Sequence, residues 1–230
     1  MPSIDLAQLD ALLDGHVDLR KRPGAVQPLR YPAAEAGFYD PFTRWVASAP
    51  AGVRLRLKTD SRSLRLTSTQ RLAAPGPEGA MRPASYELYV DGRMAARQAA
   101  TGGAVMALDG SLTGDEAAEL VFEDLPAGEK AISLWLPQGA TVSITGLELD
   151  DGAVWAPWPD DRRRIIFHGS SISHCMEADG GSGAWPAVAC ALADARLLNL
   201  GWAGSCLLSG LAARIIRDQN ADEPRALNRQ

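Results

Sequence analysis

The chain has 230 residues, 46% hydrophobic and 22% charged, with a formal net charge of -5. That is room for one large domain or two small ones, and an acidic balance that argues against a nucleic-acid groove or an anionic membrane surface as partner. No apolar run approaches the roughly 20 residues of a membrane helix, and Met1 to Leu13 carries Asp5 and Asp10 rather than the basic, then apolar, start of a secretory signal. The three cysteines, Cys175, Cys190 and Cys206, lack metal-ligand spacing and fit free thiols in a reducing compartment, so a soluble, cytoplasmic protein is expected.

Residues 1–150 read as β. Val53-Arg54-Leu55-Arg56-Leu57-Lys58 and Ser63-Leu64-Arg65-Leu66-Thr67 alternate apolar and polar side chains. Short strands are predicted at 86–90, 118–122, 131–136 and 141–144, with turns at Asp91-Gly92, Pro126-Ala127-Gly128 and Pro137-Gln138-Gly139. Many short, half-buried strands predict an antiparallel, jelly-roll-like sandwich. Ala74-Pro75-Gly76-Pro77 reads as a loop. Residues 151–161, with Trp155, Pro157, Trp158 and Pro159, read as a stiff linker whose tryptophans pack against both neighbours; sugar binding by such an aromatic pair is the alternative.

From residue 162 to 230 the pattern becomes α/β. Arg162-Arg163-Arg164, preceded by Asp160 and Asp161, reads as a solvated strand entrance rather than a phosphate site. Ile165-Ile166-Phe167 is a continuous apolar run suited to a strand buried on both faces. A helix from about Trp185 to Ala193 follows, then a strand over 196–200, then a helix from Leu207 to Arg217 with Leu207, Leu208, Leu211, Ile215 and Ile216 on one face. This order opens a parallel, three-layer α/β/α fold. Residues 218–230 offer no third strand, so the strand at 165–167 lacks a neighbour on one side, and residues 162–230 are expected either to be marginal alone or to pair this open edge with another chain.

Two glycine-bearing turns follow the two parallel strands. In open α/β sheets ligands gather at the carboxyl ends of strands. In His168-Gly169-Ser170-Ser171-Ile172-Ser173-His174-Cys175 a serine enters a helix with its hydroxyl and backbone N–H available. Asn199-Leu200-Gly201-Trp202-Ala203-Gly204-Ser205-Cys206 could present a second N–H to the same crevice. The blander reading is a pair of turns such as any doubly wound fold shows.

The segment Phe167 to His174 resembles the first block of the SGNH/GDSL hydrolases, with Ser170 where many members have Asp, and Asn199 to Gly204 resembles the second. The resemblance implies Ser171 as catalytic nucleophile and the N–H groups of Ser171 and Gly204 as the oxyanion hole. It implies a serine esterase or acylhydrolase of the branch with a β-sandwich ahead of the hydrolase domain, acting on a small-molecule ester or acylated sugar without metal or organic cofactor. The family's Asn block and its final Asp and His block have no counterpart here, so a C-terminally truncated, weak or inactive enzyme is expected. His16 and His168 do not follow the nucleophile. His174 is expected to point along the helix after Ser171, while Glu177 and Asp179 read as surface loop acids. A catalytically dead remnant and a carbohydrate-binding sandwich are the competing readings.

Overall fold

The computed structural model describes residues 3–74, 83–107, 109–207 and 209–219. The chain is mostly β-sheet with few helices. In order run α1 (Leu9–Leu12), β1 (Leu13–Asp14), β2 (Asp18–Arg22), β3 (Ala25–Leu29), α2 (Pro41–Ser48), β4 (Arg54–Thr59), β5 (Leu64–Ala73), β6 (Ser85–Val90), β7 (Arg93–Ala99), β8 (Thr101–Gly102), β9 (Ala104–Met106), β10 (Leu112–Thr113), β11 (Ala117–Phe122), β12 (Lys130–Trp135), β13 (Ala140–Leu149) and β14 (Trp155–Pro157). Then follow β15 (Arg164–Gly169), α3 (Ser171–His174), α4 (Trp185–Leu192), β16 (Arg196–Gly201) and α5 (Gly210–Asp218).

One sheet has the order β1-β4-β12-β6-β7, with β14 also on β4; the other has the order β10-β9-β5-β13-β3-β2, with β11 on β5. Their facing side chains form one core. Leu55 and Leu57 of β4, Ile132 and Leu134 of β12 and Leu88 of β6 meet Leu64 and Leu66 of β5, and Val142, Ile144 and Leu147 of β13. Period-two alternation is what lets each strand give one apolar row to this core. β15 and β16 pair in parallel, Arg164 opposite Arg196 through to Gly169 opposite Gly201.

The outer face of the first sheet is covered as well. Glu87, Trp135 and Arg54 lie in one cross-strand row, and Tyr89, Ser133 and Arg56 in the next. All of these but Tyr89 are buried, although most are polar. The segment from 160 to 201 lies over them: Trp135 shares a cluster with Ala184, Ala187, Cys190 and Leu197, flanked by Tyr89, Ile165 and Phe167. Glu87 accepts the Ser182 N–H (2.7 Å) and pairs with Arg97 (2.7 Å), while the Tyr89 hydroxyl donates to Ser182 Oγ (2.8 Å). A Cβ at Gly180 would fall on the Glu87 carboxylate, so that loop needs glycine to approach so closely.

Several expectations are corrected in detail. The last helix starts at Gly210, because Ser209 caps it by accepting the Leu211 N–H; Leu207 is 79% exposed and lies off its buried face, and Leu208 is outside the described residues. Trp155–Pro157 is a strand on β4, and Asp160 is buried beneath Arg54, Arg56 and Arg162, so the Asp-Arg run is less solvated than its composition implies. Residues 75–77 of the expected loop and 220–230 of the expected strandless tail lie outside the described residues.

Candidate active site

β15 and β16 end together at Gly169 and Gly201, and the Trp202 N–H donates to the Gly169 carbonyl (2.8 Å), holding the two departing turns side by side. Ser170 is extended, and α3 makes a single turn that Cys175 ends in the left-handed region (φ 56°). The two glycines have distinct reasons. A Cβ at Gly169 would strike the Ser173 hydroxyl, and one at Gly201 would fall on the His174 backbone nitrogen. Gly201→Ala is therefore expected to destabilise the fold by about 1–3 kcal/mol through overpacking against backbone, seen as a lower melting temperature; an unchanged melting temperature would refute the close approach.

Ser171 is exposed at the first position of α3. It lines a cavity of about 1090 Å³ together with Ile172, Glu177 and Trp185 from its own side and Arg97 and Gln138 from the two-sheet side. Glu177 and Asp179 are exposed there. Gly204 is exposed in the turn after β16 with φ 71°, where a side chain would be strained and would meet the Phe42 ring at 3.0 Å. Ser171 and Gly204 thus stand on neighbouring turns at one edge of the sheet, but Gly204 faces Phe42 of α2, which is not among the residues lining the Ser171 cavity.

The bridge between these turns is His174, and it does not point along the helix. Its ring is fully buried, Nε2–H donates to the Gln138 carbonyl (2.9 Å), and Nδ1 accepts the Ala203 N–H (3.4 Å). With Nε2 protonated, the Arg30 Nη2 at 3.4 Å is a neighbour and not a hydrogen-bond partner. Burial first, and then the Arg30 charge, hold its pKa well below the ordinary value of 6.5, so the ring is neutral. His168 donates Nδ1–H to the Leu200 carbonyl (2.9 Å) and presents Nε2 to the Cys206 thiol (3.6 Å). His16 is mostly buried among Asp10, Asp14 and Asp18. His168 and His174 are thus engaged away from the Ser171 hydroxyl, while His16 lies among Asp10, Asp14 and Asp18 with its Nδ1 unpartnered among the described residues.

Three residues given no role by the sequence anchor this edge. Arg30 reaches the carbonyls of Asn199 (3.1 Å) and Gly201 (2.5 Å) from the far side of β16. Asn199 donates to the Ser173 carbonyl (2.9 Å) and accepts the Gly201 N–H (2.7 Å). Gln138 receives His174 and donates to the carbonyls of Cys175 (3.2 Å) and Ala178 (2.8 Å). Only Asn199, within the second glycine-bearing motif, had a sequence signal. Among the described residues no group of three or more His, Cys, Asp or Glu could hold a metal, and no helix is long and apolar enough to cross a membrane.

No protein-family model and no curated protein matches the chain. Solved structures do. The chain is similar to the salicylyl-acyltransferase SsfX3 from a tetracycline biosynthetic pathway, with a TM-score of 0.78 and 31% identity over 91% of this chain and 56% of that one. It is similar to a protein described as a GDSL-like lipase from Bacteroides ovatus, with a TM-score of 0.72 and 20% identity over 96% of this chain and 62% of that one. A family two carbohydrate esterase from Clostridium thermocellum, in complex with cellohexaose, aligns at a TM-score of 0.52 and 13% identity over 84% of this chain and 51% of that one. The chain therefore has an SGNH/GDSL-type hydrolase fold, and it spans little more than half the length of the structures it matches.

Proposed function

We propose that the chain carries the nucleophile side of a serine acyl-transfer site of the SGNH/GDSL type. Ser171 attacks the carbonyl of a carboxylic ester, such as an acylated sugar, and the N–H groups of Ser171 and Gly204 receive the oxyanion. The two sheets of residues 1–150 make a jelly-roll-like sandwich, 151–161 connect it, and 162–230 open a three-layer α/β/α domain. The single observation that carries the reading is an exposed serine at the carboxyl end of a parallel strand, lining a large cavity beside a glycine turn. The free thiols favour a cytoplasmic setting. β15 has one partner among the described strands, β16, and its other edge is available to a second chain.

Activity of this chain by itself is weak or absent, because no imidazole in it faces the nucleophile. A base supplied from solution replaces what is lacking. A fluorophosphonate is expected to label the chain slowly, once, at Ser171 by peptide mass mapping, with imidazole accelerating the reaction and Ser171→Ala abolishing it. An adduct on another residue, or none even at high imidazole, would defeat the assignment of Ser171.

A further inference from the structure

The three free thiols of the chain stand in different environments, and they differ in what could take their protons. Cys190 is buried in α4, clustered with Trp135, Ala187 and Leu197. Cys175, at the end of α3, donates its Sγ–H to the Ile172 carbonyl (2.9 Å), an acceptor that cannot keep a proton. Burial pushes the pKa of both upward, so both remain weakly nucleophilic thiols at neutral pH. Cys206 has another kind of partner. It is half-buried in the turn between β16 and α5, and its Sγ lies 3.6 Å from Nε2 of His168.

That imidazole is held in place by the fold. Its Nδ1–H donates to the carbonyl of Leu200, the residue opposite it in the β15–β16 ladder. The fully buried Trp202 ring meets it edge-on, with centroids 5.6 Å apart and planes at 84°. With Nδ1 protonated, Nε2 carries the lone pair, and that lone pair faces the Cys206 thiol. A nucleophile, a base within reach of its proton and a third group that fixes the base's tautomer are the parts of an activated nucleophile. Here they come from the ends of two parallel strands and the turn after them. His168 and Cys206 are 38 positions apart, so the pair makes no local motif.

We infer that Cys206 is a modification site for small-molecule disulfides, with His168 as the base that draws off its proton. Nε2 takes the thiol proton as the Cys206 sulfur attacks one sulfur of the disulfide. The S–S bond breaks, and the leaving thiolate takes up that proton. The products are a mixed disulfide on Cys206 and one free thiol, and the incoming disulfide is the oxidant. Neither Cys206 nor His168 lines the Ser171 cavity, so the site stands whether or not Ser171 reacts.

The full chain is reacted at neutral pH with a limiting amount of dithiodipyridine, a small uncharged disulfide, and the adduct is located by peptide mass mapping. The first adduct is expected at Cys206, formed about tenfold faster than on the same thiol in the urea-unfolded chain. A thiol that is merely accessible reacts no faster folded than unfolded, so an equal or slower folded rate would overturn the assignment. A first adduct at Cys175 or Cys190 would overturn it as well. In His168→Gln the amide still donates to the Leu200 carbonyl but cannot hold a proton, so the acceleration at Cys206 should disappear; its persistence would remove His168 from the role. If that variant does not fold, the folded-to-unfolded comparison on the wild-type chain decides by itself.

Discussion

Replacing Arg30 with methionine is expected to lower folding stability by several kcal/mol, about 1–3 kcal/mol for each buried carbonyl left without a donor. Arg30 is completely buried, and no carboxylate is its partner: Nε donates to the Ala49 carbonyl (2.5 Å), Nη2 to that of Val46 (2.6 Å), and Nη1 to those of Asn199 and Gly201. Two of these acceptors lie at and just beyond the C-terminal turn of α2, where a helix leaves carbonyls without intrahelical donors and where the helix dipole favours a cation. The other two lie at the end of β16, directly before the Gly204 turn. One planar cation therefore joins the first part of the chain to the strand that carries the candidate oxyanion donor. Burial pushes its pKa down to about 9, which still leaves it cationic at neutral pH. Methionine fills the space but takes this donor from the Asn199 and Gly201 carbonyls, while those of Val46 and Ala49 keep only the N–H groups of Ala49 (3.2 Å) and Ala51 (2.9 Å). Lysine should recover little, since an ammonium cannot reach four acceptors arranged around a guanidinium plane. Urea unfolding of the three proteins measures this, and a methionine variant with the wild-type midpoint would refute it.

The strands with regular alternation were legible because alternation is a direct consequence of the pleat. β4, β5, β6, β11, β12 and β13 fall where apolar and polar residues take turns. What alternation does not say is whether the polar face is wet. Arg54, Arg56, Glu87 and Ser133 look like a solvated face, yet the segment from 160 to 201 covers them. The charged members of that face can be buried because they meet one another's opposites: Glu87 has Arg97 and the Ser182 N–H, and Asp160 draws three guanidinium groups onto one oxygen. The Ser182 contact of Glu87 and the Arg54 and Arg56 pairs of Asp160 join residues about a hundred positions apart and leave no local trace. α2 did leave one: Asp40 accepts the N–H groups of Phe42 and Thr43, and Pro41 opens the helix, a start signal readable in Asp-Pro.

The candidate site divides along the same line. That Ser171 and Gly204 lie on turns after two parallel strands was legible because a strand end, a glycine and a turn are neighbours in sequence; the roles proposed for them come from the resemblance. The supports were not. Arg30 sits between ordinary residues of a β-rich segment, and Gln138 lay inside what reads as a plain Pro-Gln-Gly turn. His174 was visible, but its direction depended on Gly201, whose missing Cβ lets α3 settle onto β16 and turns the imidazole inward instead of outward.

Acidification below pH 6.5 is expected to lower stability through His174 alone, with a slope approaching the one-proton limit of about 1.4 kcal/mol per pH unit. In the unfolded chain the imidazole takes up its proton near 6.5; folded, it stays neutral well below that, because the ring is buried and Arg30 stands beside it. Below pH 6.5 the unfolded state therefore holds one more proton than the folded state, so stability falls as pH falls and is complete above that value. His16 adds to the same slope: burial lowers its pKa too, against partial opposition from Asp10, Asp14 and Asp18. The carboxylates act lower down. Asp40 and Asp150 are held below their ordinary 3.8 chiefly by side-chain hydrogen bonds to Thr43 and Ser63, and Asp160, despite its burial, by Arg162, Arg56 and Arg54; what they contribute is lost only as pH drops below about 4. The first loss of stability below pH 6.5 thus belongs to the histidines. His174→Gln separates them, since an amide can donate to the Gln138 carbonyl and accept the Ala203 N–H without titrating. Urea midpoints taken every half unit should show a variant whose stability declines with acid by about one proton less than wild type. A variant that tracks the wild-type curve throughout would mean that the buried ring does not carry this linkage.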